Sequence, residues 1–323
     1  MQPTASVPAQ HGEIAVAPAG SPVVSVVLCT HDRAGYLGAC LAGLAAQQNA
    51  PAHEVLVVDS ASPLAGAARI ASLAQRFDAR LLVLDKPGLS RARNAGLMAA
   101  QGRLVAFIDD DAVAAPDWLA AMVKAALPGT VALGGRITPH YEAPLPAWWP
   151  PGQVAALTVI EHDRAGQVGH DLPRGVEPYG ANMAFDTAAL RAIGGFPEGL
   201  GRVGTRLLSG EESLVLRRLA ASGGAIRYDP AVAVRHSIQA NRLTPGWLVE
   251  RLYWQGVSEV VLRRLLGNVA SAWRAAPRRA AVALALLPLR LLPKASPLLI
   301  DWRWRQAYAQ GFLRGLLRPP QTA

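Results

Sequence analysis

The stretch VVSVVLCTHDRAGYLGACLAGLAAQ, residues 23–47, passes directly from a strand pattern to a helix pattern. Residues 23–29 are apolar and largely β-branched, without alternation, as in a strand buried on both faces. Thr30-His31-Asp32 breaks the run, and residues 35–47 then repeat at helical spacing. The motif recurs. Short apolar runs lie at 54–58, 80–84 and 104–108, with helical patterns at 64–77 and 89–100 between them. Alternating strands and helices predict an α/β fold, a mostly parallel sheet with helices on both faces. Ligands of such sheets bind beyond the carboxyl ends of the strands. Those ends carry Thr30 to Asp32, then Asp59-Ser60, then Asp109-Asp110-Asp111.

The three adjacent aspartates repel one another and need a counter-charge. Hard oxygen ligands suit Mg²⁺ or Mn²⁺, and a metal there can bridge a diphosphate. Alone, the triplet reads equally as a solvated acidic turn. Its surroundings favour the metal. In GLSRARNAG, residues 88–96, Ser90 is placed to cap a helix whose free N–H groups face an anion. Arg91 and Arg93 add fixed positive charge, against the simpler reading of surface arginines on a capped helix. Asp59 is placed to accept hydrogen bonds from a base or ribose, or else to serve as a turn residue.

Beyond residue 139 the pattern loosens. Residues 139–178 are rich in Pro and Gly and include Trp148 and Trp149. We expect a long irregular excursion there. With Tyr141, these tryptophans are acceptor-side candidates, because aromatic rings stack on sugar faces; loop packing explains them as well. A helix is expected at 211–221, and strands at 226–228 and 232–236.

The 323 residues suffice for a sizeable core. The net charge of +9 is concentrated after residue 241: residues 242–318 hold twelve Arg and one Lys against Glu250, Glu259 and Asp301. Basic residues among Leu, Val and Trp suit an anionic membrane surface, and no zinc-finger or recognition-helix signal favours nucleic acid. The apolar stretch 280–300 contains Pro288, Arg290, Pro293 and Lys294, which argue against a simple spanning helix. An interfacial helix or short re-entrant hairpin competes there with a helix packed on the catalytic domain. Residues 1–22 lack the pattern of a secretory signal and read as a disordered lead-in. Cys29 and Cys40, on the first strand and helix, read as buried thiols in a reducing compartment.

Several pieces together resemble the family 2 glycosyltransferases, which have the GT-A fold. They are VSVVLCTHDRAGYLGACLAGL, EVLVVDSAS, GLSRARNAGLMAAQGRLVAFIDDDA, Gly180 to Phe185 with Asn182 within it, Gly194-Gly195-Phe196, Gly210-Glu211-Glu212, and Tyr228-Asp229-Pro230 leading to Arg235-His236. The resemblance covers roughly residues 23–236. It implies that Asp109 and Asp111 hold the D-x-D positions, with Asp110 between them and Asp111 the principal metal ligand. It implies that Thr30 and Asp32 line the nucleotide pocket, that Asp59 contacts the base, and that His236 reaches the metal or diphosphate. Arg91, Arg93 and Asn94 fall on the nucleotide-sugar side, and Asn182 on the acceptor side.

Inverting transfer needs a base opposite the leaving diphosphate. The family pattern there is usually Glu-Asp. Here it is Glu211-Glu212, which makes Glu212 the base and Glu211 its runner-up, although acidic residues also favour the first turn of any helix. The Q-x-x-R-W motif of processive members is absent, so one sugar is expected per reaction. We therefore expect a catalytic domain at 23–240 and a basic amphipathic helical region at 241–323. The donor would be a nucleoside-diphosphate sugar, most simply UDP-linked. The acceptor would be a glycan or lipid-linked glycan at the cytoplasmic face of the inner membrane, or in the cytoplasm. A sugar-phosphate nucleotidyltransferase would show a Gly-rich basic loop where Thr30-His31-Asp32 stands. A non-catalytic membrane scaffold would not need carboxylates at both sites.

Overall fold

The computed structural model describes residues 22–173, 175–202, 207–293 and 296–317. The expected lead-in therefore lies, but for its last residue, outside the described residues. Among the described residues, nine strands form one mixed sheet. They are β1 Val24–Thr30, β2 His53–Ser60, β3 Arg80–Leu84, β4 Leu104–Asp109, β5 Ala112–Ala114, β6 Thr130–Tyr141, β7 Gly166–Gln167, β8 Met183–Asp186 and β9 Ala225–Ile238. The order is β3-β2-β1-β4-β8-β6-β9-β5, with β7 also on β9.

β1 is parallel to both β2 and β4, and the registers align their polar ends. Thr30 lies opposite Asp59, and Cys29 opposite Asp109. The chain direction then reverses, because β8 is antiparallel to β4 and to β6. The two strands expected at 226–228 and 232–236 are one long strand. Its register against β6 slips between Gly135 and Arg136, where Pro230 cannot donate a ladder hydrogen bond.

Helices cover both faces, as the alternation of the sheet residues requires. α1 Ala34–Ala45, α2 Leu64–Arg76 and α4 Trp118–Ala125 pack on Val26, Leu28, Val57 and Ile108. α3 Leu89–Ala99, α5 Thr187–Ala192 and α6 Glu211–Ala221 pack on Val27, Val58, Val105 and Phe107. Phe107, Phe185 and Phe196 meet edge to face at the centre of this second layer. Such rings add roughly 0.5–1.5 kcal/mol per pair beyond their buried area.

The C-terminal part is helical: α7 Pro245–Leu265, α8 Val269–Ala285 and α9 Ile300–Leu317. α7 and α9 approach at glycines. A Cβ on Gly311 would lie 1.9 Å from the Tyr253 carbonyl oxygen, and one on Gly256 would lie 2.2 Å from that of Tyr308. α7 also closes over α6 through Leu208, Leu214, Val257 and Val261. α8 buries only Ala272 among its described side chains and exposes Leu284, and the turn after it exposes Leu287 and Leu291. No helix among the described residues is long and apolar enough to cross a membrane.

Candidate active site

The acid triplet sits where β4 ends and the chain turns into β5. β5 pairs with β9 so that Ala112 lies opposite His236, and Ser237 N–H donates to the Asp111 carbonyl at 2.8 Å. That pairing brings His236 to the aspartates across more than a hundred residues of sequence. Ligand atoms of Asp109, Asp111 and His236 all lie within 4.8 Å of one another. Two carboxylates and one imidazole are a ligand set that suits a divalent cation.

Asp111 is the most heavily contacted member. Its Oδ2 accepts from Arg33 at 2.6 Å, Gln239 at 3.0 Å and Arg242 at 3.4 Å, and its Oδ1 faces His236 Nε2 at 3.3 Å. Burial opposes its ionisation, but His236, Arg33 and Arg242 outweigh burial and hold its pKa far below the usual carboxylate range. Asp110 behaves differently. Burial dominates there and pushes it up to about 7, despite Arg33 at 2.8 Å and the Thr30 hydroxyl donating at 2.7 Å. Adjacent carboxylates thus divide into an anion and a group poised near neutrality.

Arg93 links this edge to the glutamates. Its guanidinium is buried and lies 2.9 Å from Glu211, 3.1 Å from Glu212 and 3.9 Å from Asp109. Gly180 makes room for it, since a Cβ there would fall 2.0 Å from Arg93 Nη2 and 2.7 Å from Glu212 Oε1. The glutamates open α6, where helix N–H groups favour anions. Burial, then the neighbouring Glu212, push Glu211 up to about 8. Burial also works against Glu212, but Arg93, its backbone N–H and a hydrogen bond from Glu211 lower its pKa below the ordinary value. Glu212 has the more open side chain, 15% exposed against 3% for Glu211. The anionic, accessible member of the pair is therefore Glu212.

This split has a consequence for stability. An unfolded Glu titrates near about 4.3, so between that value and about 8 the folded chain holds the Glu211 proton that the unfolded chain has lost. Stability should fall as pH rises through that window. We expect Glu211→Gln to flatten this decline, read as urea midpoints at pH values near both ends of the window. A decline of unchanged slope in the variant would show that Glu211 does not carry the proton.

A cavity of about 820 Å³ lies over these groups. It is lined by Thr30, Arg93, the three aspartates, both glutamates and His236, and is roomy enough for a nucleotide-sugar. Several other residues expected at the site are consumed by the fold. Ser90 is buried and donates to the Leu200 carbonyl at 2.8 Å, and Gly88 stands at the helix cap instead. Arg91 pairs with Glu198 at the surface at 2.9 Å. Asn94 clamps the Phe196 backbone through both side-chain atoms, at 2.8 Å each. Asn182 is fully buried, accepting from the Trp118 indole at 2.9 Å and donating to the carbonyls of Arg136 and Val232. Trp149 is buried in an apolar cluster with Trp247, beside half-buried Trp148 and Tyr141. Asp32 is exposed, with a left-handed φ of 52°, and faces Arg69. Asp59 is buried beside Thr30; Oδ1 accepts from Ser62 N–H, and Oδ2 has no partner.

The sequence reading missed Arg33, Gln239 and Arg242, which surround Asp111, and Arg202 and Arg251, which line the same cavity. Arg33 was findable as a cation directly beyond a strand end. Gln239, Arg242 and Arg251 depend on where β9 and α7 turn back over the sheet.

A mixed sheet whose strand ends gather two carboxylates and a histidine, facing a buried glutamate pair across one cavity, has the layout of a GT-A sugar transferase. The match to the family model "Glycosyl transferase family 2" over residues 25–190, just over half of the chain, makes this explicit: the chain belongs to glycosyl transferase family 2. It is similar to the glucosyl-dolichyl phosphate glucuronosyltransferase of Haloferax volcanii, 29% identical over 246 residues, covering 74% of this chain and 77% of that protein. It is also similar to the succinoglycan biosynthesis protein ExoM of Rhizobium meliloti, 26% identical over 72% of each chain. Among solved structures, a mannosyltransferase of Pyrobaculum calidifontis in complex with GDP-Man and Mn²⁺ has a TM-score of 0.55 at 20% identity, covering 95% of this chain and 90% of that one. The fold is GT-A and the protein is a glycosyltransferase.

Proposed function

We propose that the chain is an inverting, metal-assisted glycosyltransferase that moves one sugar from a nucleoside-diphosphate sugar, UDP-linked, to a glycan or lipid-linked glycan. The observation that carries this is the pairing of sites. The Asp109, Asp111 and His236 cluster and ionised Glu212 face one cavity from the two ends of a single buried arginine. A divalent cation held by Asp109, Asp111 and His236 would stabilise the leaving diphosphate. Glu212 takes the proton from the acceptor hydroxyl as that oxygen bonds to the anomeric carbon and the bond to the diphosphate breaks. Arg93 keeps Glu212 ionised, while Glu211 stays protonated and holds it in place. Thr30 and Arg33 lie where the nucleotide side of the donor would rest. Buried Asp59, with one carboxylate oxygen unpartnered, stands next to them as the contact for base or ribose.

The relatives' names, which include a glucuronosyltransferase and a succinoglycan biosynthesis protein, support a glycan or lipid-linked acceptor. Incubation with a panel of nucleotide-sugars and Mn²⁺ tests the reading. Release of nucleoside diphosphate is expected from one donor. Formation of pyrophosphate from a sugar phosphate and a nucleoside triphosphate would support a nucleotidyltransferase instead.

The C-terminal surface supports a peripheral association with anionic lipid at the cytoplasmic face of the inner membrane. Leu284, Leu287, Leu291, Leu298 and Trp302 are exposed around the connection from α8 to α9, with Arg274 and Arg278 exposed nearby on α8. Exposed apolar side chains flanked by arginines match an interfacial element. The full chain should sediment with phosphatidylglycerol vesicles and not with phosphatidylcholine ones. Leu291→Asp with Trp302→Asp should lower binding about tenfold or more, since each buried apolar side chain contributes roughly 1.5–3 kcal/mol. Equal sedimentation of both proteins would sink the assignment.

A further inference from the structure

Most charges that line the cavity are accounted for by neighbours. Arg33 pairs with Asp110 and Asp111, Arg242 with Asp111, and Arg93 with both glutamates. Glu259 is paired with Arg263. Two cations remain. Arg202 and Arg251 line the cavity, and neither forms an ion pair among the described residues. Arg251 projects from α7, and its Nη1 donates to the Ser209 hydroxyl at 3.3 Å. Its Nε is buried without a partner. Burial, and then Arg202, lower the pKa of Arg251 to about 10, although Glu211, Glu212 and Tyr179 act to raise it. Arg202 is exposed and Arg251 is half-buried, and like charge acting on a half-buried guanidinium is costly unless an anion offsets it.

The position of Arg251 matters as much as its charge. Arg242 stands at the Asp111 end of the cavity, where a donor diphosphate and a divalent cation would largely neutralise each other. Arg251 stands at the other end, in the field of Glu211, Glu212 and Tyr179, where the sugars would meet. A guanidinium whose buried Nε has no partner among the described residues is suited to charge-assisted hydrogen bonds with a carboxylate or phosphate. Neutral sugar hydroxyls would leave both charges unmatched.

We propose that Arg251, with Arg202 and the Ser209 hydroxyl beside it, forms an oxyanion subsite for a carboxylate or phosphate group carried by one of the two reacting sugars. The proposal rests on the donor reading given above and narrows its substrate class to a negatively charged one. The anion has two sources, a hexuronate donor or an acidic or phosphorylated acceptor. Both present the same chemistry to Arg251.

Calorimetric titration of the full chain with Mn²⁺ present separates these cases. UDP, GDP, CDP and dTDP are titrated first. Binding of none of them would overturn the donor reading, and this proposal with it. In the donor arm, UDP-glucuronate is compared with UDP-glucose. In the acceptor arm, glucose 1-phosphate and glucuronate are compared with glucose on protein saturated with the nucleoside diphosphate that binds. An anionic probe should bind about 10- to 100-fold more tightly than its neutral partner in one arm, as a charge-assisted pair of hydrogen bonds would give. Arg251→Gln should erase that preference and leave nucleoside-diphosphate affinity within about twofold, which also shows that the variant is folded. Arg251→Lys should keep part of it. A wild-type chain that binds nucleotide but prefers the anion in neither arm would overturn the subsite, and so would a preference that survives Arg251→Gln.

Discussion

Asp111→Asn should abolish sugar transfer while the chain stays folded. The substitution keeps shape and hydrogen-bonding capacity but removes the charge on which Arg33, Gln239, Arg242 and His236 converge. With Asp111 as the proposed metal ligand, its loss would forfeit several kcal/mol of leaving-group stabilisation, about a 1000-fold drop in rate or more at roughly 1.4 kcal/mol per factor of ten. Mn²⁺-dependent nucleotide affinity should fall with it. Some stability should also be lost, because the arginines would keep their charge without the buried anion they surround. A thermal melt together with nucleotide titration with and without Mn²⁺ checks both effects. Full activity in this variant would remove the metal reading.

Glu212→Gln should give the second large effect, with a different signature. The general base contributes about 10²–10⁴-fold, so kcat should fall by that factor while donor binding is retained. The amide can still accept from Arg93, and the Asp109, Asp111 and His236 cluster is untouched. Glu211→Gln is the contrast. Glu211 is already the protonated, enclosed member of the pair, so its amide mimics the working state. The rate should stay within about tenfold of wild type, the loss expected for one altered neutral hydrogen bond. If the two variants exchanged effects, the base would be Glu211 and the order of proton affinities would be reversed.

The legibility of this architecture in the sequence follows from local physics. The four parallel strands and three intervening helices were readable because each is a contiguous run whose apolar spacing is set by its own burial. The strand bounds 104–108 and Leu104–Asp109 differ by one residue. Asp109 to Asp111 could be placed at the sheet edge for the same reason. The mid-chain strands were harder. β9 read as two strands because Pro230 interrupts its pattern, while pairing with β6 on both sides of the bulge makes it one. The site was legible where the side chain sits directly at a strand end or helix start, as for Thr30, Asp109, Asp111, Glu211, Glu212 and His236. It was not legible where function and packing compete for one residue type. Asn94 and Asn182 resemble ligand-binding amides in sequence, yet backbone carbonyls and an indole use them up. Arg242 and Arg251 resembled the basic amphipathic surface of the C-terminal region. Only the return of α7 across the cavity puts them inside it.

In the proposed mechanism one cavity combines a metal-held diphosphate with Glu212 as base. Nucleoside-diphosphate release from the preferred donor, followed with acceptor present in chelated and Mn²⁺-restored protein, tests it most directly when wild type, Asp111→Asn and Glu212→Gln are run together. Wild type should turn over only with Mn²⁺. Asp111→Asn should stay silent at any Mn²⁺ level that supports wild type, and Glu212→Gln should bind donor and Mn²⁺ but turn over about 10²–10⁴-fold more slowly. Equal release with and without Mn²⁺ in wild type, or turnover by Glu212→Gln at the wild-type rate, would contradict the account.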